Sequence, residues 1–344
     1  MNLPRRGARA AIILTAFLLL AAPSAPVLQR AEDIAVAARP IPRFDTSPAA
    51  GKRFGGLDYV GGFSYTSRSP FLEGVSSIRM LKGDRFLAVT DTGLWFAGRI
   101  ERDEKGAPVG MSEAHLSPIL GPGGQPPRRK GEADAEGLGI DNNGDALVSF
   151  EINHRIAVYR DALNPFASTP RFLPLPIPRK ELRFNAGLET IATAPANSPL
   201  KGRTITVSEA SVDENGDLFA GILGPGGGVF KIRRDPIWSA TDGAFLPDGD
   251  FLLLERRFQG YTRVGMRIRR IDGRSIRPGA VVDGPVLMEA TLAQEIDNME
   301  GLDTYRAPDG SIRLVLVSDD NSSFFQRNLF LEFKLVENAA AAIQ

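Results

Sequence analysis

The feature that most constrains what this chain can fold into is a hairpin module that occurs five times, with an acidic residue near both ends of each copy. Each copy runs from an acid beside glycine, through an apolar strand and a glycine turn, into a second apolar strand and another acid. The first spans Glu73-Gly74 to Asp91, and the second Glu136-Gly137 to Glu151 across Asp141-Asn142-Asn143-Gly144-Asp145. The third inverts its opening as Gly187-Leu188-Glu189 and ends at Glu209. The fourth runs from Asp242-Gly243 through Pro247-Asp248-Gly249-Asp250 to Glu255, and the fifth from Glu300-Gly301 through Pro308-Asp309-Gly310 to Asp319-Asp320. The opening acids stand 63, 53, 53 and 58 residues apart. Asn-Gly and Asp-Gly between aliphatic runs are strong hairpin signals. A fixed period in this range suits the blades of a propeller with longer loops.

The pattern therefore predicts an all-β chain, a β-propeller of five or six four-stranded blades. Outer strands are expected at Arg155–Arg160, Gly228–Arg233, Met266–Ile271 and Asn328–Leu335, and a sixth, degenerate blade has room between Asp91 and Glu136. The alternating segment Gly56–Thr66 is expected to close the last blade from the N-terminal side, which removes an exposed edge. Residues 55–336 form this domain, and 337–344 a C-terminal tail.

Upstream, Arg5, Arg6 and Arg9 precede the apolar run Ala10–Ala22 and the small residues Ala22-Pro23-Ser24-Ala25, the pattern of a secretory signal peptide over 1–25. An uncleaved anchor is the alternative, although the run is shorter than the ~20 residues of a membrane span. Residues 26–54 read as an extended leader or arm. The expected location is periplasmic or secreted, with no stable membrane span after cleavage and a monomeric state. Lys plus Arg and Asp plus Glu both number 41, so no basic excess marks a nucleic-acid binder. The run Arg128-Arg129-Lys130, after the Gly/Pro-rich Gly121–Pro127, reads as a solvated loop.

A hairpin returns to the edge it left, so the two acids of one module share a rim, and blades around an axis gather several such pairs at one mouth. Crowded carboxylates raise one another's pKa unless a proton or cation sits between them. An all-oxygen donor set favours a hard cation, with calcium first. Two histidines and no cysteine exclude a His- or Cys-rich metal centre, and no nucleophile elbow, Walker A loop or dinucleotide fingerprint is present. The candidate metal ligands are Glu73, Asp91, Glu136, Glu151, Glu189, Glu209, Asp242, Glu255, Glu300, Asp319 and Asp320. Glu136, Glu300 and His154 are candidate proton-transfer groups, and Arg256, Arg257, Asn321 and Arg327 candidate contacts to an anionic substrate. The bland alternative for any one acid is a latch to the backbone of the neighbouring blade. Asp141–Asp145 and Asp213–Asp217 start like calcium loops but lack the full spacing, and read as turns.

Asp134-Ala135-Glu136-Gly137-Leu138, Asn185-Ala186-Gly187-Leu188-Glu189, Leu246-Pro247-Asp248-Gly249 with Leu254-Glu255-Arg256, and Asn298-Met299-Glu300-Gly301-Leu302 occur in that order. With Ser318-Asp319-Asp320-Asn321, Gln326-Arg327 and Leu331-Glu332-Phe333 they resemble the bacterial phytase-like domain named for "esterase-like activity of phytase". The resemblance spans most of residues 55–335. It implies an exported protein whose recurring acids hold a phosphoester-hydrolysing site, carried here by the eleven acids named above. A calcium-dependent phosphoester hydrolase is the leading expectation. A non-catalytic calcium- and ligand-binding propeller, or a lactonase or carboxylesterase on the same scaffold, is the alternative.

Overall fold

The computed structural model describes residues 28–47, 51–260, 262–321, 323 and 325–336. The proposed signal peptide over 1–25 and the tail over 337–344 lie outside these residues. Among the described residues no helix is long and apolar enough to cross a membrane.

Five antiparallel sheets follow one another along the chain, and each module supplies the two innermost strands of one sheet. Blade 1 comprises Val75–Met80, Arg85–Thr90, Leu94–Arg102 and Pro108–Pro118, with Glu32–Asp33 at its outer edge. Blade 2 comprises Ala135–Ile140, Ala146–Phe150, Arg155–Tyr159 and the short Arg171–Leu173. Blade 3 comprises Leu188–Thr193, Thr204–Val212, Leu218–Ile222 and Gly228–Ile232, joined by Val281–Val282 in parallel. Blade 4 comprises Ser239–Phe245, Phe251–Phe258, Val264–Ile271 and Val286–Thr291. Blade 5 comprises Asn298–Arg306, Ile312–Asp319, Asn328–Leu335, Leu57–Ser67 and Val36–Pro40. The inner strands touch in a closed cycle around one axis, which makes the fold a five-bladed propeller. The interval from Asp91 to Glu136 holds the two outer strands of blade 1 rather than a sixth blade, and blades 1, 3 and 5 exceed four strands.

Four of the second strands contain an unbroken apolar run, Phe86–Val89, Ala146–Val148, Phe251–Leu254 and Leu314–Val317, buried on both faces, and alternate residues feed different seams. Phe86 and Ala88 pack toward blade 5, while Leu87 and Val89 pack toward blade 2. Leu252 and Leu254 likewise face blade 5, while Phe251 and Leu253 face blade 3. The apolar core is accordingly five separate layers, one per seam between blades. Trp95 and Phe96, fully enclosed, belong to two of them.

Residues 28–47 are held against the blades. Their strands pair with the outer edges of blades 1 and 5, Tyr59 Oη donates to the Ile41 carbonyl at 2.7 Å, and Phe44 packs on Phe54, Tyr59 and Phe333. Blade 5 itself joins Leu57–Ser67 to Asn328–Leu335, so one sheet contains both ends of the described domain.

The axis is crossed by a buried ion pair. Arg79, on the inner strand of blade 1, meets both oxygens of Asp242 of blade 4 at 3.0 Å. Its guanidinium also donates to the carbonyls of Ile191, Gly243 and Leu302, on the inner strands of blades 3, 4 and 5. Removing one member of a buried, fully bonded pair strands the other charge and costs about 3–5 kcal/mol, whereas replacing both with apolar groups can be nearly neutral. Arg79→Met should therefore lower unfolding free energy by about that much in urea titrations. Arg79→Met combined with Asp242→Leu should recover most of the loss. A single variant as stable as the parent would deny the pair its structural role.

Candidate functional site

Every inner strand carries one β-bulge at the same height. The extra residue is Ser76 in blade 1, Glu189 in blade 3, Thr241 in blade 4 and Glu300 in blade 5. In blade 2, Glu136 and Gly137 together face Ser149. A bulge re-aims a side chain that strict alternation would send into a seam. Three of the five bulged positions thus present a glutamate at one mouth of the propeller.

The second ring of groups comes from the end of each second strand. The amides of Asp91, Glu151 and Glu209 donate to the carbonyls of Gly74, Asp134 and Gly187 at 2.8–2.9 Å. Asp319 pairs with Asn298, and Arg256 pairs with Ser239, at the same level. Four blades therefore end in an acid here, and blade 4 ends in Arg256. Its guanidinium bonds Asn298 Oδ1 at 2.6 Å, reaches Glu209 Oε1 at 3.3 Å and pairs with Glu300.

The glycine beside an opening acid has a role in this geometry. Gly74 is left-handed at φ 68°, and the Asp91 carboxylate lies where a Cβ would stand. Its amide donates to Asp319 Oδ1 of blade 5 at 3.0 Å, and the Gly187 amide donates in the same way to Glu151 of blade 2. At the corresponding place in blade 2 stands Asp134, which is buried. One carboxylate oxygen from each of Asp134, Glu136 and Glu151 lies within 4.8 Å of the others, a spacing an ion bound at 2.3–2.6 Å from each would span. The Asp-x-Glu spacing across the bulge was the available sequence signal for Asp134.

The remaining acids crowd this cluster. Loss of hydration, with Asp91, Asp134, Glu151 and Glu300 adding their charge, holds Glu136 well above the ordinary carboxylate range. Glu189 is raised in the same way by burial and then by Glu136, Glu209, Glu151 and Glu300. Burial pushes Glu300 up to about 8 despite Arg256, Glu151 to about 7 despite the Gly187 amide, and Asp319 to about 7.

The other sequence candidates lie elsewhere or serve other contacts. Asp242 is one residue past the bulge and Glu255 one residue short of the terminal position, so both face away from the mouth. Asp242 is bound to Arg79, Ser77 Oγ and the Leu302 amide, and Glu255 is clamped by Arg267 and Arg269. Glu73 precedes the first inner strand and is half-buried. Asp320 accepts from Asn328 Nδ2 at 2.7 Å, while Asn321, at φ 47°, donates its amide to Asp319. Arg257 lies over the Trp238 ring, and Arg327 pairs with Glu295 at 2.7 Å. His154 is buried, with Nε2 at 3.0 Å from the Arg183 carbonyl and its ring against Gly187. That contact puts the ring proton on Nε2 and makes His154 a support of the glycine that holds Glu151. Asp141 and Asp213 accept the amides of their own turns.

The sequence profile of the phytase-like family, described as esterase-like activity of phytase, matches residues 70–322, from the approach to the first inner strand through the last acidic loop. The chain belongs to the phytase-like family. No curated protein matches it in sequence. Among solved structures it is similar to the α-L-arabinanase of Cellvibrio cellulosa at 10% identity and a TM-score of 0.44, covering 78% of this chain and 94% of that one. Regucalcin of Agrobacterium tumefaciens, a calcium-binding protein, aligns at 12% identity and a TM-score of 0.39 over 86% and 95% of the two chains. Virginiamycin B lyase of Staphylococcus aureus aligns at 10% and 0.41 over 88% and 100%. These scores are too low to carry any argument on activity or ligand.

For the phytase-like chain freed of cations, the raised carboxylates set the sign of its pH dependence. Between the unfolded value near ~4.3 and the folded values of about 7 to 8, the folded state holds more protons than the unfolded state. Their contribution is fully present below the unfolded value and is lost as pH rises through the folded ones. The melting temperature in chelator should therefore fall between pH 6 and pH 9, and millimolar calcium should reverse the fall at pH 9. A flat or rising profile in chelator would contradict the crowding.

Proposed function

We propose that this protein is an exported, calcium-dependent hydrolase of phosphoesters, acting as a monomer in the periplasm or cell exterior on a small anionic substrate. The observation that supports the reading best is the oxygen-only cluster of Asp134, Glu136 and Glu151, bordered by further raised acids and by Arg256. Carboxylates at this spacing fit a hard divalent cation, and thiolate or imidazole ligands are not in reach. Asp134, Glu136 and Glu151 would hold the ion, which when bound polarises a phosphoryl oxygen and lowers the pKa of water.

The chain's own groups divide the remaining work. Arg256 has a planar donor fork suited to a phosphate oxygen pair once it exchanges its contacts with Glu300, Glu209 and Asn298. Glu300, with a pKa near 8, is poised to take and return a proton at neutral pH. Glu209, itself in contact with Arg256, and Glu189 would discourage a second anionic group, which favours a monoester or a compact diester over a polyphosphorylated ring. The latch bonds from Gly74 and Gly187 keep Asp319 and Glu151 aimed inward. Those same bonds support a second reading, a calcium-binding propeller without turnover.

Two experiments test the proposal. A panel of phosphomonoester, phosphodiester, carboxylester and lactone substrates, each with calcium and with chelator, should give calcium-dependent turnover of a phosphoester. Turnover of a carboxylester or lactone alone would move the assignment to that class. No turnover on any of them, alongside a calcium-induced rise in melting temperature, would favour the binding module. Glu300→Gln should lower turnover by roughly 10²–10⁴-fold while leaving calcium affinity within a few-fold, and Glu136→Gln should weaken both.

A further inference from the structure

A cleft of about 1020 Å³ lies on the flank of blade 2, outside the acidic mouth. Its existence follows from the outer strand of that blade, Arg171–Leu173, which is only three residues long. Two proline-rich segments line the cleft, Pro122 to Pro127 in the connection from blade 1 and Pro174 to Pro178 after the outer strand. Proline cannot donate to a ladder, so these segments stand off the sheet as two stiff walls instead of extending it. Tyr159 and Phe150 contribute to the floor, and Tyr159 Oη donates to the Leu120 carbonyl at 3.0 Å, fixing one wall.

The polar groups of this cleft differ in sign from those of the mouth. Arg128, Arg155 and Arg179 line it, against the single carboxylate of Glu132. The Arg155 guanidinium lies 3.7 Å over the Phe150 ring, and its donors reach the carbonyls of Asn153 and Glu132. Among the described residues no carboxylate stands within ion-pair distance of the half-buried Arg155 or the exposed Arg179, whereas Arg79, Arg256, Arg267 and Arg269 each have one. Arg179 is close enough to repel Arg155, while the more distant charges of Glu132 and Asp134 favour it. Phe172, 46% exposed, also lines the cleft and leaves much of its ring open to solvent.

We propose that this cleft is a second binding site, for an amphipathic organic anion: a flat aromatic or compact apolar body carrying one carboxylate, sulfonate or phosphate. The anionic head sits on Arg155, with Arg179 beside it, and the body lies between Phe172 and the proline walls. A volume of this size suits a drug-sized ligand, and a mostly apolar pocket with a few convergent polar groups is the usual form of such sites. Stiff walls spare the ligand the cost of ordering them. Without a cation the mouth has an excess of carboxylates and repels the same anion, so in chelator the two sites differ in the charge they accept.

The test is calorimetric titration of the full chain in chelator with 2-naphthalenesulfonate, which no hydrolase of esters can consume. Saturable one-to-one binding is expected, with neutral 2-naphthalenemethanol and inorganic sulfate each at least tenfold weaker. Arg155→Gln and Phe172→Ser should each weaken binding at least tenfold. Phe172 is exposed enough that its replacement leaves folding intact, so it decides the matter if the arginine variant fails to fold. Absence of saturable binding would overturn the proposal, as would equal affinity in the Phe172→Ser protein. Binding that is lost in Glu136→Gln but kept in both cleft variants would put the anion at the mouth and overturn it as well. None of these outcomes depends on whether the mouth hydrolyses anything.

Discussion

The arrangement depends on one buried contact, the Arg79–Asp242 pair at the propeller axis. A propeller has no central element of its own, so its inner strands must be tied across a space too wide for backbone ladders. One guanidinium with five donors in a rigid fork does this for blades 1, 3, 4 and 5. Asp242 completes the tie by accepting Ser77 Oγ at 2.7 Å and the Leu302 amide at 3.0 Å. Blade 2 is joined differently, by direct approach of backbones: a Cβ on Gly137 would stand 2.3 Å from the Glu189 carbonyl oxygen. With the inner strands fixed at one height, their five bulges are fixed at one height too.

That common height is what makes the mouth chemically unusual. Carboxylates from four blades are brought closer than their charges favour, and the strain is tolerated because each seam is an independent apolar layer. Burial of roughly a Leu or Phe side chain contributes about 1.5–3 kcal/mol, and each seam contains many of them. The crowding therefore need not be relieved by the fold itself. It remains available to a proton or a cation, and Arg256 relieves it on one side only.

Much of the architecture was legible in the chain. The module count, the turns and most of the third strands follow from period, Asn-Gly and Asp-Gly turns and short apolar runs, which are local signals. The candidate site was legible less evenly. Glu136, Glu151, Glu189, Glu209, Glu300 and Asp319 were identifiable because they recur beside glycine or at strand ends. Blade 4 misled, because Asp242-Gly243 and Glu255 imitate the motif one residue out of frame. A one-residue slip reverses the face of a strand, so Thr241 and Arg256 occupy the rim instead. Asp134 was hidden for the converse reason: its partners in the other blades are glycine, serine and asparagine, so no repeat of acids marks it.

By itself the sequence determined that the chain is all-β, modular and five times supplied with acids at hairpin ends, since turn chemistry and apolar runs act over a few residues. Only the tertiary structure decided which acids meet. Register is set by bulges and by contacts between blades far apart in sequence, and a carboxylate's neighbours there determine whether it is a ligand, a proton carrier or one half of an ion pair. Asp242 and Glu136 read alike along the chain, yet one is neutralised at the axis by an arginine 163 residues away and the other is held among acids at the mouth.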